Sequence, residues 1–265
     1  MQPVIIVVDI GNTSTSCALA CKGRIFRATR LPPHDPSRRL VRRHLVKLAR
    51  GHRLRGAAVC SVVPNHTRPW LLELKRLTGK PPLLVHHRLK LGISINYPRP
   101  GTIGADRLAN ACAAAEQYGP PVIVADFGTA LTFDIVSRQR AYIGGIIAPG
   151  LPLMTEYLAD RTALLPRIRL DTPAWRKTDF NRMDAVGKST VQAMLIGARL
   201  GYAGMVREII GRLKQSLHEP RLQLCATGGY AAWALAGSGL RVKIDPDLTL
   251  RGIARIYDLN QAQDR

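Results

Sequence analysis

Two short segments carry the residues best suited to chemistry: Asp9-Ile10-Gly11-Asn12-Thr13 and Asp126-Phe127-Gly128-Thr129-Ala130. Each has an Asp, then a glycine two residues on, then hydroxyl or amide side chains. The glycine lets backbone N–H groups approach an anion such as phosphate, and Asn12, Thr13 and Thr129 add neutral donors. An aspartate beside a phosphate is repulsive unless a cation lies between them. Each segment therefore suits a phosphate oxygen and a cation together. One Asp-x-Gly alone reads as an ordinary hairpin turn, whereas two in equivalent settings point to phosphate. Thr227-Gly228-Gly229 adds a third glycine turn between a strand and a helix, open either to a ligand or to tight packing. Gly187-Lys188-Ser189-Thr190 imitates the end of a P-loop. Arg182 stands where that motif needs glycine, and Trp175 to Met183 is too polar to be its strand.

The elements flanking the two Asp turns match. Val4 to Val8 is a continuous apolar, β-branched run and reads as a buried strand, with Cys17 to Ala20 and Ile25 to Ala28 returning beside it. Pro121 to Ala125, Leu131 to Val136 and Ala141 to Ile147 repeat that order. The repeat predicts an α/β protein of two similar lobes facing a cleft. Between the copies, helical spacing marks Ser37 to Arg50 and Pro69 to Thr78. Ala57 to Val63 reads as a strand, and Ile93 to Gly104 as a loop rich in Pro and Gly. Ala105 to Tyr118 is an alanine-rich helix. The lobe boundary falls within it, giving lobes 1–113 and 114–265. Thr155 to Leu164, Asp184 to Leu217 and Leu248 to Asp258 are further helices, the second expected to break near Gly197 or Gly201. Leu222 to Ala226 reads as a strand.

Five segments occur in a set order: Asp9 to Thr13, Gly104-Ala105-Asp106-Arg107, Asp126 to Ala130, Gly144-Gly145-Ile146-Ile147-Ala148-Pro149-Gly150, and Thr227-Gly228-Gly229. Together, from Val4 to Ile256, the chain resembles the type III pantothenate kinases of the acetate-and-sugar-kinase and actin superfamily. The resemblance implies two ribonuclease-H-like lobes, a duplicated actin-like ATPase domain around a nucleotide cleft. It implies phosphorylation of pantothenate by ATP, the first step of coenzyme A biosynthesis, by a homodimer that uses a monovalent cation (K+ or NH4+) and Mg2+. Carried over by motif, Asp9, Ile10, Gly11, Asn12, Thr13, Ser14, Thr15 and Ser16 hold the ATP phosphates, and Thr129 contacts ATP. Asp126 binds the monovalent cation. Gly104, Ala105, Asp106 and Arg107 bind pantothenate, Asp106 as general base, and Tyr97 and Thr190 match further substrate contacts. Some members carry a basic residue shortly after the first turn, where this chain has Ser14, Thr15 and Ser16.

The chemistry supports Asp106 separately. A primary hydroxyl attacking the γ-phosphorus must lose its proton, and a carboxylate within reach can take it. Arg107 next to it suits the substrate's carboxylate. Without the resemblance, an Asp at a helix N-terminus reads as a dipole partner and Arg107 as half of a surface ion pair. Two alternatives share the fold: a nucleic-acid-binding or regulatory protein, and a kinase for another hydroxylated small molecule.

Composition bounds the rest. The chain has 265 residues, 46% hydrophobic and 5% aromatic, and a net charge of +21. Thirty of its 39 basic residues are arginine. Arginine-rich composition spread over the surface is the plainer reading, and nucleic acid is not expected as a partner. Cys17, Cys21, Cys60, Cys112 and Cys225 form no Cys-x-x-Cys pair and read as reduced, buried hydrophobes. A leader-like start and a long apolar run are both lacking, so a cytoplasmic protein without a membrane span is expected.

Overall fold

In a computed structural model of the chain, residues 2–32, 37–168, 184–236 and 238–261 are described. Trp175 to Met183 lies outside them. Strands β1 (Val4–Ile10), β2 (Thr15–Cys21), β3 (Arg24–Leu31), β4 (Leu54–Ser61) and β5 (Leu83–Leu84) form a five-stranded sheet in the order β3-β2-β1-β4-β5. β1 to β3 are antiparallel, and β4 and β5 run parallel to β1. Central β1 is apolar from Val4 to Val8 because both of its faces are covered there, and Asp9 follows near its end. Ile6, Val8 and Ile10 join a core with α1 (Arg38–Ala49), through Val41 and Leu45, and with α2 (Pro64–Thr78), through Trp70 and Leu74. α7 (Leu248–Gln261) packs on β1, β2 and β4 and against α3 (Ala105–Gln117). Gly252 makes that helix pairing close: a Cβ there would meet the Ala109 carbonyl.

The second sheet contains β6 (Ser94–Ile95), β7 (Val122–Phe127), β8 (Ala130–Val136), β9 (Ala141–Pro149), β10 (Gln223–Thr227) and β11 (Lys243–Ile244). Its order is β11-β10-β7-β8-β9-β6. Read from its own first strand, it repeats the first sheet's third-second-first-fourth-fifth order, with β6 added at one edge. The duplication expected from the two Asp turns is therefore present as topology. α4 (Leu151–Arg161), α5 (Thr190–Leu217) and α6 (Ala231–Leu235) complete the described elements.

Helix bounds differ in places from the local sequence reading: α2 begins at Pro64 rather than Pro69, and α5 at Thr190 rather than Asp184. α4 begins at Leu151 rather than Thr155, because Gly150 caps it and Pro152 fits the first turn, where no N–H bond is required. α5 runs unbroken through Gly197 and Gly201. Each glycine costs about 1 kcal/mol relative to Ala in a helix, but buried Tyr202, Val206 and Ile210 hold the helix by packing. No helix of the described residues is long and apolar enough to cross a membrane.

By contacts the chain forms two compact units. The first is Met1–Val122 with Asp134–Gly144 and Asp247–Arg265; the second is Ile123–Phe133 with Gly145–Pro246.

Candidate active site

The first unit carries Asp9 and Asp106. Asp9 lies near the end of β1, in register with Ser16 on β2 and Cys60 on β4. The turn that follows is closed by Gly11 N–H donating to the Ser14 carbonyl at 3.0 Å. Strand alternation sorts its residues. The Ile10 and Thr15 side chains are buried, so their contribution to any ligand is backbone. Asn12 and Thr13 are exposed at the tip, with Gly11, Ser14 and Ser16 half-buried.

Asp106 enters this neighbourhood from the first turn of α3. Gly104 caps the helix, and a Cβ at Gly104 would lie 2.5 Å from Asp106 Oδ1, so the carboxylate occupies the space a side chain would take. The Arg107 backbone N–H donates to that Oδ1 at 2.8 Å. Burial raises the Asp106 carboxyl above its ordinary range, opposed by the Arg107 N–H and the Arg107 charge. The buried Cys60 thiol is raised well above its usual value, first by burial and then by the charges of both Asp9 and Asp106. Cys60 therefore feels the charge of both carboxylates, and its thiol stays protonated. A carboxyl held high by burial is suited to accepting a proton.

Arg107 belongs to a buried network rather than a surface ion pair. Its Nε donates to Asp134 Oδ1 at 2.7 Å, and the Tyr142 hydroxyl donates to the same oxygen at 2.8 Å. Asp134 is fully buried on β8. Tyr97 packs edge-on against Tyr142 with centroids 6.1 Å apart, and its ring lies 3.6 Å from where a Gly144 Cβ would stand. The first unit thus joins Tyr97, Gly104, Ala105, Asp106 and Arg107 through groups that the motifs do not contain: Asp134, Tyr142 and Cys60. Their sequence signal was a lone carboxylate inside the apolar strand Leu131 to Val136, since a buried charge needs a partner.

The second unit carries Asp126 and Thr129. The turn closes through Gly128 N–H to the Ala130 carbonyl at 3.2 Å. Two glycines press against it. A Cβ on Gly150 would strike the Gly128 and Thr129 carbonyls, and one on Gly228 would lie 2.5 Å from the Phe127 backbone and 2.7 Å from Asp126 Oδ1. Gly228 has φ +92, and the Tyr230 N–H donates to the Phe127 carbonyl at 3.2 Å. The Thr227-Gly228-Gly229 turn is thereby packed beside Asp126. Thr190, exposed at the start of α5, takes part in none of these close contacts. Gly187 to Thr190 is a helix cap: Ser189 Oγ accepts from the Gln192 N–H at 3.2 Å, and Gln192 Oε1 accepts from the Lys188 N–H at 2.9 Å.

Among the described residues no group of three or more His, Cys, Asp or Glu could hold a metal ion. A cation at either Asp turn would draw its remaining oxygens from backbone, water or a bound phosphate, as hard cations do.

A family model described as type III pantothenate kinase matches residues 5–212. This chain belongs to the type III pantothenate kinase family. Its similarity to curated members is nearly full length. The type III pantothenate kinase of Akkermansia muciniphila is 40% identical over 255 residues, covering 96% of this chain and 98% of that protein. The one from Dehalococcoides mccartyi is 35% identical over 271 residues, covering 99% and 100%. Solved structures share the fold at low identity. A ROK family glucokinase from Streptomyces griseus has a TM-score of 0.53 at 12% identity, covering 97% of this chain and 99% of that one. The (R)-2-hydroxyglutaryl-CoA dehydratase component A of Acidaminococcus fermentans has a TM-score of 0.56 at 13% identity, covering 97% of each chain. The family model spans every segment assigned above except Thr227-Gly228-Gly229, which lies beyond residue 212.

Proposed function

We infer that this type III pantothenate kinase transfers the γ-phosphoryl group of ATP to the hydroxyl of pantothenate, the first step of coenzyme A biosynthesis. The observation that carries the mechanism is Asp106: a partly buried carboxyl, raised by its surroundings, at the cap of α3 beside Arg107 and near Asp9. Asp106 accepts the hydroxyl proton as the oxygen attacks phosphorus. Arg107, its guanidinium oriented by Asp134, holds the pantothenate carboxylate, and Tyr97 and Gly104 to Arg107 shape the rest of that subsite. Thr190 is a further substrate contact. The turn from Asp9 to Ser16 binds ATP phosphates through backbone N–H groups and the Asn12 and Thr13 side chains. Thr129 contacts ATP in the second unit. Catalysis is chiefly positioning and charge neutralisation.

Asp126 holds a monovalent cation, K+ or NH4+, and Asp9 shares Mg2+ with the nucleotide. The donor set fits, because a single carboxylate beside glycine-lined backbone leaves the remaining coordination to oxygen ligands. These ions, when bound, neutralise phosphate charge. The two lobes are taken as 1–113 and 114–265. We place the protein in the cytoplasm, consistent with five unpaired cysteines. A homodimer is supported by apolar side chains that α4 and α5 leave exposed, Leu153, Tyr157 and Leu200.

A coupled assay with ATP, Mg2+, K+ and pantothenate tests the reading. Turnover is expected with pantothenate, falling about 10²- to 10⁴-fold in Asp106→Asn. Equal turnover by the variant removes Asp106 as the base. Replacing K+ with Na+ is expected to lower activity, and Asp126→Ala to abolish that dependence.

A further inference from the structure

The positive charge is not evenly spread. Residues 22–90 contain 18 Lys and Arg against two acids, Asp35 and Glu73, a net +16 of the chain's +21. Residues 91–265 contain 21 against 15, a net +6. A compositional bias toward arginine would raise both parts alike. Of the two acids, Asp35 lies outside the described residues. Glu73 is buried, and its Oε1 accepts from Arg38 Nη2 at 2.8 Å, so its charge is paired within the protein.

The fold turns much of this charge to one helix face. α1 has the sequence RRLVRRHLVKLA, without an acid. Val41, Leu45 and Leu48 are buried against the sheet and α2. The opposite face carries Arg39, Arg42, Arg43, Val46, Lys47 and, just past the helix, Arg50, which line an open groove of about 800 Å³. At 1.5 Å per residue these five cations extend over about 16 Å. A second groove, lined by Arg42, by Arg76 on α2 and by the paired Glu73, continues the surface. On the other side, exposed β3 brings Arg24, Arg27 and Arg30, and Arg27 Nη1 donates to the Leu48 and Arg50 carbonyls at 3.2 and 2.8 Å. None of these residues belongs to the candidate active site.

We propose that this face, centred on Arg39, Arg42, Arg43, Lys47 and Arg50, docks the phosphate backbone of double-stranded nucleic acid without reading its sequence. The cations form a row instead of converging, so the groove fits a repeating anion better than a single small one. Guanidinium groups dominate, and they pair with phosphate through two parallel donors. No aromatic side chain lines the groove, so base stacking, the usual means of holding single strands, is not available. A lipid surface fits less well. Helices that lie on membranes insert an apolar face, and the apolar face of α1 is already used in the core. This docking does not depend on the kinase reading, since it uses separate residues.

Five neutralised phosphates predict a log–log salt slope of about −4.5, or about 500-fold weaker binding between 50 and 200 mM salt. The test uses the full chain, a fluorescein-labelled 24-base-pair duplex of arbitrary sequence, and anisotropy across that salt range. A triple variant, Arg39→Glu with Arg42→Glu and Arg43→Glu, is compared with Arg207→Glu, Lys214→Glu and Arg221→Glu in the second unit, which changes net charge equally. Pantothenate phosphorylation, measured in parallel, is expected to persist in both and reports folding. Should the glutamates unfold the chain, the glutamine versions replace them. The expected result is at least a 50-fold loss of duplex binding for the α1 triple and less than fivefold for the control. Equal losses in the two triples would mean bulk charge alone and overturn the proposal, as would a slope shallower than about −2. Binding to phosphatidylserine vesicles at a salt concentration where the duplex is released would assign the face to membranes instead.

Discussion

Replacing Asp134 with Asn tests whether the substrate arginine is held from beneath. Asp134 is fully buried and the Arg107 side chain is 14% exposed, so the substitution removes the ionised partner of a guanidinium that is nearly out of water. Breaking such a pair by removing one partner costs about 3–5 kcal/mol. Asn keeps the volume and can still accept from the Tyr142 hydroxyl, which places the expected loss near the lower end, about 3 kcal/mol. At about 2–4 °C per kcal/mol for a chain of this size, the melting temperature should fall by about 6–12 °C. Thermal melting by circular dichroism measures it. Losing one charge-assisted hydrogen bond of about 1.5–3 kcal/mol at Arg107 should also lower kcat/KM for pantothenate by about 10- to 100-fold. That loss should appear mainly as a raised KM for pantothenate, with KM for ATP little changed. Combining Asp134→Asn with Arg107→Leu should cost less than the two single changes added together, since the second removes the stranded charge. A melting temperature within 2 °C of the parent together with an unchanged KM would refute the assignment, as would additive losses in the double variant.

Asp106→Asn should separate stability from activity. Burial favours the neutral carboxyl, so between the ordinary carboxylate range and its raised value the native state binds more protons than the unfolded chain, and stability falls as pH rises through that window. The variant should therefore be at least as stable as the parent at pH 7 in a denaturant titration, despite its loss of turnover. The acid limb of the parent's pH–kcat profile should lie above the ordinary Asp value of about 3.9 and be absent in the variant. Gly228→Ala should cost about 2–5 kcal/mol, from its positive φ and from collision with the Phe127 backbone and Asp126. Gly79→Ala, with φ +72 and open space around it, should cost only about 1 kcal/mol, so the difference in urea midpoints isolates the packing against the Asp126 turn.

The local pattern of the chain was enough for the duplication and for both Asp turns. Strand alternation, Asp-x-Gly spacing and the alanine-rich start of α3 act over a few residues, and the matching order of the two sheets follows from them. Sequence also showed Asp106 and Arg107 as neighbours at a helix start. Other features depended on residues brought together from far apart. Asp9 meets Cys60 because β1 pairs in parallel with β4, and the Asp106 charge acts on the same thiol from α3. Arg107 meets Asp134 only once β8 and α3 are packed, so the sequence could show an odd carboxylate but not its partner. Gly228 read as open either to a ligand or to tight packing, and only the tertiary structure showed the backbone of Phe127 and the Asp126 carboxylate too close to it for a side chain. The breadth of the positive charge was visible from composition. Its gathering on one face of α1 was decided by which residues the core claimed, because burying Val41 and Leu45 turns Arg39, Arg42 and Arg43 outward.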